Sequence, residues 1–152
     1  MVVFISFDLK TLPADIGARS PNPRLLLVDD DHDILHFLRH GLELKGLQVN
    51  AYSSAQEALQ YFKPDVYDLA ILDIRMPGMN GFQLYREIKK RDYAIIAYFL
   101  SAFEIRPSEF KKVFPSMDEI KGIIKKPVSI HELFNQIAPS LKISPAAKAA
   151  QD

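Results

Sequence analysis

The sequence predicts an α/β protein, a doubly wound sheet of five parallel strands in the order 2-1-3-4-5 with helices on both faces. Three observations predict it. Short continuous apolar runs, Leu69 to Leu72 and Ala94 to Leu100 among them, are what strands covered on both faces look like. Segments whose apolar residues recur at helical spacing alternate with those runs. Four runs end in polar residues, at Asp29-Asp30, Asp73, Ser101 and Lys126, and these meet at one edge only if the strands lie parallel with right-handed crossovers.

Taken in order, Arg24 to Asp29 reads as the first strand, and Ile34, Phe37, Leu38, Gly41 and Leu42 mark the helix after it. A second strand covers Leu47 to Tyr52. The next helix opens after Ser53 or Ser54, runs through Ala58, Leu59 and Phe62, and is closed by Pro64. The third strand, Leu69 to Asp73, leads through the turn Ile74-Arg75-Met76-Pro77-Gly78-Met79-Asn80-Gly81 into a helix carrying Leu84, Ile88 and Lys89. Ala94 to Leu100 is the fourth strand. Beyond Ser101 the signal is weaker, because Pro107 and Pro115 bracket only a short helical stretch containing Phe110 and Val113. Ile120 to Lys125 is the fifth strand. Ser129 then opens a helix with Ile130, Leu133, Phe134 and Ile137, and Glu132 completes a capping box with it. The strand order is the flavodoxin-like one. Residues 24–141 form this domain, residues 1–23 read as a flexible leader, and residues 142–152 read as a flexible tail.

Bulk properties narrow the function. The chain has 152 residues, 48% of them hydrophobic and 25% charged, which suits one ordinary domain with a real core. Nineteen basic residues balance nineteen acidic ones, so the electrostatic footprint of direct nucleic-acid binding is missing. Cysteine is absent, which removes thiolate metal sites and disulfides and fits a cytoplasmic location. No apolar stretch reaches the length of a membrane span, and the apolar start Met1 to Phe7 lacks the basic flank of a signal peptide.

The strand endings bring together three carboxylates, a hydroxyl and an ammonium. Asp29, Asp30 and Asp73 crowded at one edge repel by about 4 kcal/mol per pair at ~4 Å and an effective dielectric near 20. Such a pocket raises its pKa values or takes a cation, and hard oxygen ligands favour Mg2+ or Mn2+. Asp73 can act as a nucleophile toward a phosphoryl group whose oxygens are neutralised. Lys126 supplies a point charge for one phosphoryl oxygen and Ser101 a hydrogen bond for another. Gly78 and Gly81 let the turn after Asp73 bend closely, and Pro77 restricts one torsion of it.

Val28-Asp29-Asp30-Asp31, Leu72-Asp73-Ile74-Arg75-Met76-Pro77-Gly78-Met79-Asn80-Gly81, Ser101-Ala102 and Lys126-Pro127 resemble the receiver domains of two-component response regulators, over about Arg24 to Leu141. The resemblance implies that Asp73 is the phospho-acceptor, that Asp29, Asp30 and Asp73 hold the metal with the backbone carbonyl of Arg75, and that Ser101 and Lys126 sense the phosphate. It further implies a cis peptide before Pro127. The partners implied are a sensor histidine kinase or phosphotransfer protein as donor and a downstream effector protein, with no direct nucleic acid and no membrane. Such a domain catalyses only its own phosphoryl acceptance and slow dephosphorylation. The Ile74 to Pro77 loop and Phe114-Pro115-Ser116 resemble archaeal single-domain regulators. Two alternatives stay open: an interaction domain indifferent to phosphorylation, and a Mg2+-dependent phosphohydrolase. The latter generally needs a second carboxylate where Arg75 stands.

The chain departs from the family at Ile123, three residues before Lys126, where an aromatic ring often serves as a switch. Phe103, Phe110, Phe114 and Met117 read as a lid over the sheet. In the family, positions equivalent to Arg75 and Phe103 influence how water reaches the acyl phosphate. Phe103 is expected to shield the phosphoryl group, and Arg75 to contact a phosphoryl oxygen, to pair with Glu104 or to stay solvated. His32, His36 and His40 read as solvated side chains, Asp31 and Asp33 as helix-start charges, and Lys89, Lys90 and Arg91 as helix-end cations. Lys125 should point away from the site, since neighbours in a strand face opposite ways.

Overall fold

A computed structural model describes residues 22–106, 108, 111–112 and 120–141. The expected leader, the tail and the stretch with Phe110, Val113, Phe114 and Met117 lie outside the described residues. Five strands, β1 (Arg24–Val28), β2 (Gln48–Tyr52), β3 (Leu69–Asp73), β4 (Ile96–Ser101) and β5 (Ile120–Lys125), form one sheet in the order β2-β1-β3-β4-β5. Every pairing is parallel. The helices are α1 (His32–Leu44), α2 (Ala55–Tyr61), α3 (Gly81–Arg91) and α4 (Ile130–Ile137), the last running into a 3-10 turn at Ala138–Ser140. The doubly wound architecture and its strand order are as the sequence predicts.

Alternation along the strands produces the two layers. Leu26 and Val28 of β1, Ala70 and Leu72 of β3 and Ala97 and Phe99 of β4 face α2 and α3, where Ala55, Ala58, Leu84, Tyr85 and Ile88 meet them. Leu25, Leu27, Leu69, Ile71, Tyr98 and Leu100 face the other way, onto Leu35, Leu38 and Leu42 of α1 and Leu133, Phe134 and Ile137 of α4. All five residues of β3 are buried, which is why that run carries no alternation of polarity.

Short polar caps start the helices. Asp31 accepts from the Asp33 and Ile34 N–H groups at α1, and Ser54 accepts from Glu57 N–H at α2. A reciprocal capping box forms at Asn80 and Gln83, whereas Ser129 caps α4 alone by accepting from Glu132 N–H. Of the box expected at Ser129 and Glu132, the Ser129 half is the one that forms. Phe37 also differs from expectation. At 100° per residue it lies a quarter-turn or more off the Leu35-Leu38-Leu42 stripe, and its side chain is 55% exposed. No helix among the described residues is long and apolar enough to cross a membrane.

Candidate functional site

Register brings the strand endings level. Val28 pairs with Leu72, Asp73 with Leu100 and Ser101 with Lys125, so Asp29, Asp73, Ser101 and Lys126 all leave the sheet at its carboxyl edge. Backbone bonds extend the ladder past the strands, from Asp29 N–H to Tyr52 O, Ile74 N–H to Leu100 O and Lys126 N–H to Ser101 O. The loop after Asp73 closes where Gly81 N–H donates to Ile74 O at 2.9 Å. A Cβ at Gly81 would lie 2.2 Å from the Asp73 carbonyl oxygen, so only glycine lets α3 begin so near the acidic residue. The peptide bond between Lys126 and Pro127 is cis, as the resemblance implies.

Asp29, Asp30 and Asp73 place carboxylate oxygens within 4.8 Å of one another, and Asp29 and Asp73 are buried while Asp30 faces solvent. The Lys126 ammonium bridges the two buried carboxylates, 2.7 Å from Asp29 Oδ2 and 3.2 Å from Asp73 Oδ1. Asp29 Oδ1 accepts from Asp31 N–H at 3.0 Å. Asp29 Oδ2, fully buried, has the Lys126 ammonium as its partner, and a carboxylate oxygen so paired still has a second lone pair.

Burial and the Asp29 charge push Asp73 up from 3.8 to about 6, against the pull of Lys126. For Lys126 burial acts to lower the pKa, but its contacts with Asp29 and Asp73 outweigh that and leave it raised. One ammonium cannot balance three carboxylates. The hard oxygen donors and the residual negative charge fit a divalent cation of the Mg2+ or Mn2+ type.

Not every expected residue turns toward this pocket. The Ser101 hydroxyl donates to Phe103 O at 2.6 Å and accepts from Phe103 N–H at 3.1 Å. The Arg75 guanidinium lies 3.9 Å above the Phe103 ring. Glu104 pairs with Lys125 at 3.1 Å rather than with Arg75, and Lys125, exposed, points away from the pocket as strand alternation requires. Ile123 packs half-buried against the core layer under α2 and α3. The three histidines are exposed, with the His36 and His40 rings stacked at 6.5 Å, and they form no metal-capable cluster of three among the described residues.

Sequence reasoning missed the apolar wall beside the acidic pocket. Ile34, Phe37 and Leu38 of α1 and Pro127 and Val128 after β5 line, with Asp29, Asp30, Asp73 and Lys126, a cavity of about 560 Å³. The signal available was Phe37 itself, an aromatic residue out of phase with the buried stripe of its helix.

The family model described as response regulator receiver domain matches residues 25–138. The chain is 30% identical over 119 residues to the heme response regulator HssR of Staphylococcus haemolyticus, covering 78% of this chain and 51% of that protein. It is 42% identical over 73 residues to the C4-dicarboxylate transport transcriptional regulatory protein DctD of Rhizobium meliloti, covering 48% of this chain and 16% of that one. The chain thus spans about half, or less, of the length of these curated relatives. Among solved structures, it is similar to the non-phosphorylated HemR receiver domain of Leptospira biflexa, with a TM-score of 0.70 and 26% identity over 81% of this chain and 97% of that one. It is also similar to the response regulator TrrA of Thermotoga maritima in complex with Mg(2+)-BeF, with a TM-score of 0.64 and 27% identity over 78% of this chain and 99% of that one.

Proposed function

Because the chain belongs to the response regulator receiver domain family, whose members act in two-component signalling, we propose that Asp73 accepts a phosphoryl group from the phosphohistidine of a sensor kinase or phosphotransfer protein. The observation that carries this reading is the Lys126 ammonium between Asp29 and Asp73 in a pocket still short of positive charge. In the transfer, an Asp73 carboxylate oxygen bonds to phosphorus as the phosphorus–nitrogen bond of the donor breaks, and the leaving imidazole takes up a proton from water. Asp29, Asp30 and Asp73, with the Arg75 backbone carbonyl, would hold Mg2+ or Mn2+, which when bound neutralises phosphoryl oxygens.

Lys126 pairs with Asp73 beforehand and with a phosphoryl oxygen afterward, so the ammonium stays compensated through the transfer. Ser101, at the end of β4, donates to another phosphoryl oxygen once its hydroxyl turns from Phe103. The nucleophile must be the carboxylate, which the metal-free pocket disfavours by pushing Asp73 up to about 6 and which a bound cation would favour, so the metal extends acceptance to lower pH. The apolar wall of Ile34, Phe37, Pro127 and Val128 seats the donor beside the pocket. The changed surface is read by an effector protein in the cytoplasm. No observation favours the phosphohydrolase or the phosphorylation-indifferent alternative, and Arg75 offers no acid/base in place of the missing carboxylate.

Incubation with acetyl phosphate and Mg2+, followed by intact mass, tests the proposal. One phosphoryl adduct is expected on the wild type, and none on Asp73→Asn or after chelation of the metal. An unmodified wild type, or an adduct that persists in Asp73→Asn, overturns it.

A further inference from the structure

We propose that Phe103 and Arg75 form the element through which phosphorylation changes the surface of this chain, in place of an aromatic switch on β5; the inference rests on Asp73 being the acceptor. Ser101 has a single hydroxyl proton, and it is donated to Phe103 O at 2.6 Å. That proton cannot serve a phosphoryl oxygen at the same time. Contact of Ser101 with a phosphoryl group therefore releases the Phe103 carbonyl, and movement of the hydroxyl oxygen toward that group stretches the turn that Phe103 N–H closes onto it.

The second attachment breaks in the same event. Phe103 is 51% exposed, and the Arg75 guanidinium stacks on its ring at 3.9 Å. Arg75 stands two residues after Asp73, within side-chain reach of a group bonded to that carboxylate. A guanidinium over an exposed aromatic face is held by about 0.5–1 kcal/mol, and a phosphoryl group brings between one and two negative charges and acceptor oxygens that a planar fork grips in pairs. Phosphorylation thus draws Ser101 and Arg75 inward together and leaves Phe103 free of both.

Among the described residues of the loop, Ile105 stays packed half-buried against the core layer and forms the hinge, and the other side-chain attachment is weak. The Glu104 to Lys125 pair is exposed at both ends, and screening leaves such pairs little hold. Meanwhile Ile123 on β5 packs against Phe99 and its neighbours as part of the core layer and has no ring to swing. In the segment after β4 both groups are anchored to one residue, Ser101 to the Phe103 backbone and Arg75 to its ring, so that residue reports the state of the pocket.

The chain contains no tryptophan, so Phe103→Trp installs a single indole at the reporting position. With acetyl phosphate and Mg2+, its emission is expected to shift to the red with the same time course as the Asp73 adduct followed by intact mass. With Arg75→Ala added, the emission before phosphodonor should already lie to the red and the shift on phosphorylation should shrink. An adduct on Asp73 without an emission shift overturns this inference and leaves the acceptor reading standing, whereas absence of any adduct on the wild type removes both. Ring-labelled phenylalanine in the wild-type chain repeats the measurement by NMR without a substitution at Phe103, and a Phe103 resonance unmoved by phosphorylation likewise overturns the inference.

Discussion

Replacing Asp73 by asparagine should stabilise the metal-free protein at neutral pH, and the size of the gain should follow one titration. In the folded state burial and the Asp29 charge lift the Asp73 carboxyl from 3.8 to about 6. A folded-state pKa above the unfolded one means that the folded protein holds the proton more tightly. The associated stability is complete below pH 3.8 and is lost as pH rises through about 6. At about 1.4 kcal/mol per pKa unit the loss has a ceiling of roughly 3 kcal/mol. Solvent at the pocket rim screens part of it, leaving about 1–3 kcal/mol. Asparagine keeps the shape of the protonated acid and does not ionise, so it avoids that loss. Urea unfolding with the metal chelated, repeated from pH 4.5 to pH 8, should show the stability difference between variant and wild type growing mainly up to about pH 6 and then levelling. Added Mg2+ should narrow the gap at pH 8, since the wild type offers one more carboxylate to bind it. A variant no more stable than wild type at pH 8, or a difference that ignores pH, would refute the electrostatic account of the pocket.

Two further outcomes follow from the same geometry. Asp30→Asn should weaken Mg2+ binding by roughly 10–100-fold in calorimetry, with the unfolding midpoint of the metal-free protein nearly unmoved because Asp30 faces solvent; an unchanged affinity would remove Asp30 from the ligand set. Gly81→Ala forces a Cβ to 2.2 Å from the Asp73 carbonyl oxygen and to 3.0 Å from its carbon, backbone that cannot yield, so it should cost about 3 kcal/mol or more. Gly78→Ala, where φ is +78° and the near neighbour is the flexible Gln56 side chain, should cost about 1–2 kcal/mol; equal losses in thermal unfolding would contradict this distinction.

Alternation of apolar runs with helical spacing is local information, readable because period and run length decide which faces are covered. Leu69 to Asp73, apolar without interruption until its last residue, declares a central strand wherever the rest of the chain goes. Parallel strands then require Asp29, Asp73 and Lys126 to share an edge, so the charged part of the site was legible before any coordinates. The rest depends on contacts that no spacing encodes. Asp29 and Asp30 are adjacent and chemically identical, yet one is buried against Lys126 and the other is exposed, because Asp29 continues the inner face of the sheet and Asp30 starts the turn into α1. Ser101 looked like a ready phosphate contact, but its hydroxyl is taken up by Phe103, a bond set by the path of the loop after β4.

From the sequence alone came the strand order and the edge where the carboxylates and the ammonium gather, since each follows from periodicity and from residue type at strand ends. Tertiary structure alone decided the state of the side chains there: Arg75 lying over Phe103, Phe37 standing out beside the pocket, and the Asp73 carboxyl pushed up to about 6 by burial and the Asp29 charge. Burial, hydrogen-bond direction and the distance between charges belong to groups brought together from remote parts of the chain, and they exist only once the chain has folded.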